Sequence, residues 1–209
     1  MRIGFRTRIY PTKEQADQLA YYAMCSHKMW NFVVAKFTDD EKAPSIGKYG
    51  VNGYKPRDLL NEFEKETGLR KIPERIALDV LMRYADAWER CFAKLGDKPK
   101  FHKYNANRQS FCVCSVEYRI LVQNIIALPK SGRGRNSSHV LINTTFLQRH
   151  GITRITEPRF TCLFGKWYVS GSAEIADTPK KEAPWLGLDW AYALSLLHLP
   201  VNTLTIQIL

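Results

Sequence analysis

Residues Leu186 to Trp190 read Leu-Gly-Leu-Asp-Trp, a carboxylate set in a short apolar run. A carboxylate so placed can hold Mg²⁺, and Mg²⁺ there activates water and stabilises a leaving oxygen in phosphodiester cleavage. Asp189 is therefore the candidate catalytic and metal-binding residue. Such a site needs several carboxylates. Residues 190–209 supply none, because all 31 Lys and Arg and all 20 Asp and Glu precede Trp190. Upstream, Glu174, Asp177 and Glu182 fall on a strand end and a linker, while Glu157, Glu117 and Asp97 are scattered. Asp189 is thus read as vestigial, one ligand of an incomplete Mg²⁺ site. The structural alternative for a lone Asp is a strand end or a cap.

Three basic stretches point to a second chemistry. Arg2, Arg6, Arg8 and Tyr10 alternate with apolar residues at the N-terminus. In the run Lys98-Pro-Lys-Phe-His-Lys-Tyr-Asn-Ala-Asn-Arg-Gln-Ser-Phe111, Lys98, Lys100, Lys103 and Arg108 are interleaved with Phe101, His102, Tyr104 and Phe111. Lys130, Arg133 and Arg135 sit in a Gly- and Ser-containing loop. Cations neutralise phosphates, and exposed aromatics stack on unpaired bases. Phe101 and Phe111 could equally fill a core. His27 lies on an apolar helical stripe, where a histidine is usually a satisfied core group rather than a catalyst.

The composition agrees with the second chemistry. The net charge is +11 and the pI near 9.5, which predicts a polyanionic partner, nucleic acid before an anionic membrane surface. With 209 residues, 45% of them apolar, the chain can bury a real core as one large or two small domains. Five cysteines, an odd number without zinc-site spacing, suit a reducing, cytoplasmic setting. The N-terminus has no apolar signal core. The uncharged stretch 190–209 is broken by His198, Pro200 and Asn202 and is a poor membrane span. It reads as buried strands or a helix, or as the mark of a truncated or frame-shifted reading frame.

The elements that must position these residues follow from periodicity. Residues 2–10 alternate as a strand, with Ile3, Phe5, Thr7 and Ile9 on its apolar face. Thr12 and Gln15 form a capping box for a helix to about residue 37, with Ala16, Leu19, Ala23, His27, Trp30 and Val34 on one stripe. Residues 38–55 read as a loop. Pro56 opens a short helix that Gly68 ends, and Pro73 opens a longer one through Phe92 and Leu95 to Gly96. From Lys98 the period becomes two, with strands expected at 110–117, 119–127, 139–143, 152–157, 159–164 and 167–174. Gly165 suits a type II′ hairpin turn. The expected fold is α+β: a small antiparallel β-barrel interrupted by a helical insertion. A polar linker, 178–184, then leads to a new strand at 185–190.

Four segments, in this order, resemble the TnpB family. They are Phe5-Arg-Thr-Arg-Ile-Tyr-Pro-Thr-Lys-Glu-Gln15; Lys98-Pro-Lys-Phe101 with Arg108-Gln-Ser-Phe111; Gly165-Lys-Trp-Tyr-Val-Ser170; and Leu186-Gly-Leu-Asp-Trp190. TnpB proteins, also called OrfB transposases, are insertion-sequence-encoded, RNA-guided DNA endonucleases related to type V CRISPR effectors. The resemblance implies an oligonucleotide-binding-like wedge barrel (1–11 and 97–178), a helical recognition domain (12–96), and the start of an RNase H-like RuvC domain (179–209). It implies guide RNA and target DNA as partners and no membrane. Asp189 matches the first RuvC aspartate. The family's catalytic Glu, last Asp and zinc-binding Cys cluster lie beyond this match, so no cofactor is expected in this chain, although the full-length family uses Mg²⁺. The resulting expectation is a truncated protein that binds RNA and DNA without self-sufficient cleavage. Its alternatives are a Mg²⁺-dependent nuclease completed by a second chain and a nuclease-dead, RNA-guided repressor.

Overall fold

The computed structural model describes residues 2–37, 46–47, 50–51, 54–113, 117–119, 125–127, 139–142 and 152–175, all within one unit, Met1–Ala176. The first strand, β1 (Arg2–Tyr10), alternates as its sequence requires: Phe5, Thr7 and Ile9 are buried, while Arg2, Arg6, Arg8 and Tyr10 are exposed. Helix α1 (Lys13–Phe37) follows. Its capping box closes in both directions, with Thr12 N donating to Gln15 Oε1 at 2.9 Å and Gln15 N to Thr12 Oγ1 at 3.3 Å.

A two-residue pair, β2 (Ile46–Gly47) and β3 (Gly50–Val51), lies within the expected loop. Then come α2 (Pro56–Thr67) and α3 (Glu74–Phe92). Pro56 sits at the start of α2, and Gly68 ends it at φ 70, the left-handed conformation that glycine takes without cost. Helix α3 stops one turn short of the expected Gly96. Phe92 and Leu95 are 51% and 71% exposed, so they have left the buried stripe, and Lys94 turns the chain at φ 58. Helix α1 is buried along Tyr22, Cys25, Met29 and Val33 as well as on the expected face, because it packs against both α3 and β4.

The remaining strands are β4 (Arg108–Cys112), β5 (Glu117–Arg119), β6 (Ile125–Ala127), β7 (His139–Ile142), β8 (Ile152–Leu163) and β9 (Lys166–Ile175). All pairings are antiparallel, in the order β4-β8-β9-β1-β7-β6, with β5 also on β8. The helices thus lie in sequence between two strands of one sheet. Among the described residues no ladder joins β6 to β4 or β5. The expected strand at 185–190 lies outside the described residues.

Two expectations are corrected in β8 and its hairpin. Segments 152–157 and 159–164 form one strand with register shifts between Ile152 and Arg154 and between Thr156 and Arg159. Pro158 lacks an N–H, and Glu157 turns at φ 51, which makes an irregularity rather than a chain break. Both Phe164 and Gly165 have positive φ, 47 and 76, so the turn is type I′, not II′.

The core is continuous. Phe111 stacks on Phe160 at 5.1 Å between β4 and β8, and Tyr22 of α1 meets Phe111 edge-on at 5.8 Å. Leu59, Phe63, Ile76, Val80, Leu81 and Tyr84 close the helical side. Each such side chain contributes roughly 1.5–3 kcal/mol on burial.

Candidate nucleic-acid interface

Past α3 the chain returns along α1 in an extended conformation, and α1 holds its backbone. Trp30 Nε1 donates to Lys100 O at 2.9 Å. The Asn31 side-chain amide brackets His102, donating Nδ2 to its carbonyl at 3.0 Å and accepting its N–H at 2.8 Å. His27 Nε2 reaches the same carbonyl at 2.9 Å. A carbonyl only accepts, so His27 carries its proton on Nε2. The His102 ring lies flat on Trp30, 4.6 Å between centroids and 7° between planes. Burial, then the charge of Arg83 and of His27, holds the His102 imidazole below the usual histidine range.

This clamp turns the segment's other side chains outward. Lys98, Lys100, Lys103 and Arg108 are exposed, and Phe101 and Tyr104 are 61% and 56% exposed. Phe111, by contrast, is wholly buried in the core. Lys100 is paired with Asp97 at 2.7 Å, and Lys98 lies over Trp88 at 5.9 Å. Among the described residues no carboxylate pairs with Lys103 or Arg108.

The cationic face of β1 is built differently. Arg2 is neutralised by Glu174 at 3.2 Å. Arg6 lies over Tyr168 at 4.7 Å and Arg8 over Tyr10 at 5.1 Å. Rings hold these guanidiniums without cancelling their charge. Directly opposed residues share one face of a sheet. The register Ser110↔Thr161, Thr161↔Tyr168 and Tyr168↔Arg8 therefore makes one row from β4 to β1. Three strand spacings set its length at about 14 Å. Arg108 and Arg8 thus belong to the same sheet at opposite ends of its best-paired part.

Two hollows flank α1. A cavity of about 240 Å³ is lined by Ser26, His27, Arg83, Lys103, Arg108 and Ser110, among others. A more open, apolar groove of about 530 Å³ runs past Met24, Phe32, Phe63 and Tyr104. The first is polar and cationic and suits an anion's oxygens. Among the described residues no three His, Cys, Asp or Glu side chains converge on one point as a metal requires.

Lys130, Arg133, Arg135 and Asp189 lie outside the described residues. The sequence reading missed Trp30, Asn31, Arg83 and Tyr168. Trp30 and Asn31 carry one available signal, a polar group on each side of a helical apolar stripe.

Residues 1–40, which span β1 and α1, match the family model of the OrfB helix-turn-helix domain of IS605 type. The described part of that match is one strand and one helix. No curated protein matches the chain. No helix among the described residues is long and apolar enough to cross a membrane. Over its first 40 residues, therefore, the chain is similar to the helix-turn-helix domain of transposase-associated OrfB proteins.

Proposed function

We propose that this protein is a nucleic-acid-binding member of the family, with guide RNA and target DNA as its partners. The observation that carries the reading is the clamped segment 98–108. Its backbone is fixed by Trp30, Asn31 and His27, and its cations and aromatics face solvent. Phosphates would engage Lys103, Arg108, Arg6 and Arg8; unpaired bases would stack on Phe101 and Tyr104. Lys98, Lys100, Arg2 and Tyr10, with Lys130, Arg133 and Arg135, extend the same surface in this reading. The helix-turn-helix match supports DNA as one partner. In this account 1–11 and 97–178 close as a wedge barrel, 12–96 are a recognition domain, and 179–209 open an RNase H-like domain.

Asp189 is then the first metal-binding carboxylate of that domain. Cleavage needs further carboxylates, and residues 190–209 contain none. We assign these 209 residues binding rather than cleavage on their own. The test is direct titration of the purified protein with structured RNA and with duplex DNA. Binding at low salt that weakens steeply as salt rises is expected. Absence of binding to both at low salt overturns the proposal. Mg²⁺-dependent, guide-matched cleavage that Asp189→Ala abolishes would instead give the chain a working metal site.

A further inference from the structure

The β8–β9 hairpin ends in Phe164, a residue its turn does not favour. Both central positions of this type I′ turn need positive φ, which Asn, Asp and Gly adopt readily and a bulky aromatic does not. Phe164 nevertheless sits there at φ 47. Its ring is 79% exposed, so core packing does not explain it. The tip is also held in place: Phe164 N donates to Asn107 O at 3.0 Å, docking the hairpin on the turn that ends the clamped segment.

The surroundings say what the ring faces. Leu163 is register-paired with Arg108 on one side and with Lys166 on the other, so exposed cations flank the tip on both neighbouring strands. Neither cation has an ion-pair partner among the described residues. Beyond the docked turn, the Tyr104 hydroxyl receives Gln109 Nε2, so Tyr104 lies beside β4. This end of the sheet therefore carries two exposed rings, Tyr104 and Phe164, together with the exposed cations Arg108 and Lys166. Rings beside cations match a single strand, whose bases present π-faces and whose phosphates alternate with them.

We infer that Phe164 is a stacking residue for an unpaired base of single-stranded nucleic acid, with Arg108 and Lys166 taking the flanking phosphates. The inference rests on the nucleic-acid-binding reading above and adds a contact to it. Sequence and sugar are not read by such a contact, so oligothymidylate and oligouridylate both qualify as ligands.

The experiment uses the full chain, fluorescent oligothymidylate, oligouridylate and a blunt DNA duplex. Phe164→Asn removes the ring and suits the turn, so its melting temperature should equal or exceed that of the wild type. Phe164→Trp keeps a ring. Phe164→Asn should weaken single-strand binding by about 5- to 150-fold, the range for one lost stacking contact. Duplex binding should change little, and Phe164→Trp should keep single-strand affinity. A 2-aminopurine strand should be quenched by the wild type and not by Phe164→Asn. Equal single-strand affinity of wild type and Phe164→Asn overturns the inference and leaves the binding proposal standing. So does an equal loss on the duplex. A wild type that binds neither oligonucleotide overturns the inference, and one that binds neither duplex DNA nor structured RNA as well overturns both.

Discussion

Asp79 of α3 lies 3.8 Å from Arg159 of β8, and the same carboxylate receives Arg83 Nε at 2.8 Å. One buried acid thus joins the helices to the sheet. Its reach extends to the interface: Arg83 lies over Trp30 at 5.4 Å, and Trp30 holds the Lys100 carbonyl.

Replacing Asp79 with Ala leaves two guanidiniums without their shared acid. Breaking a buried pair costs several kcal/mol, but both arginines here are partly solvated. A loss of about 1–2 kcal/mol is expected. Urea unfolding of wild type and variant measures it, and identical midpoints would contradict the role.

Gly171 stands where the sheet leaves no room. A Cβ there would meet Thr156 O at 2.7 Å and Phe5 Cε1 at 3.4 Å, beside the irregularity in β8. Gly171→Ala should destabilise the fold by about 1–3 kcal/mol. Gly4→Ala, with nothing within 4 Å of the added carbon, is the control and should change stability far less. A larger effect at Gly4 than at Gly171 would refute the packing argument.

His102 should titrate below the ordinary histidine value of 6.5. The folded state therefore resists protonation that the unfolded chain accepts. Stability from this group is intact above the unfolded pKa and declines as pH falls through 6.5 toward the lower folded value. NMR titration of the imidazole reads the pKa directly. A value at or above 6.5 would show that burial and Arg83 do not act as described.

Arg6 and Arg8 carry charge that no described carboxylate cancels. If each meets one phosphate, Arg6→Ala with Arg8→Ala should flatten the log-log salt dependence of nucleic-acid binding by about 2. Arg2→Ala should do less, because Glu174 already occupies its guanidinium. The slopes come from titrations at a series of salt concentrations. An unchanged slope in the double variant would take β1 out of the interface.

Local order was legible from the chain. The alternation of Arg2 to Tyr10, the Thr12–Gln15 box, and Pro56 with Gly68 are short-range patterns whose cause lies within a few residues, and each is found where its residues put it. Interleaved cations and rings between Lys98 and Phe111 were equally visible. Which of the rings would be buried was not, because Phe101 and Phe111 have the same chemistry and differ only in what they meet.

Tertiary structure decided that difference. Phe111 meets Phe160 and Tyr22, partners 49 and 89 residues distant in sequence, and vanishes into the core. Phe101 follows a backbone that Trp30 and Asn31 hold against α1, and it is left in solvent. The pairing of Asp79 with Arg159 and the seating of Arg6 on Tyr168 are decided in the same way. Composition and period determine that a basic, aromatic surface exists, because they act through neighbours along the chain. Which side chains form it is settled by strand register and helix packing, whose free energy comes from contacts between residues far apart in sequence.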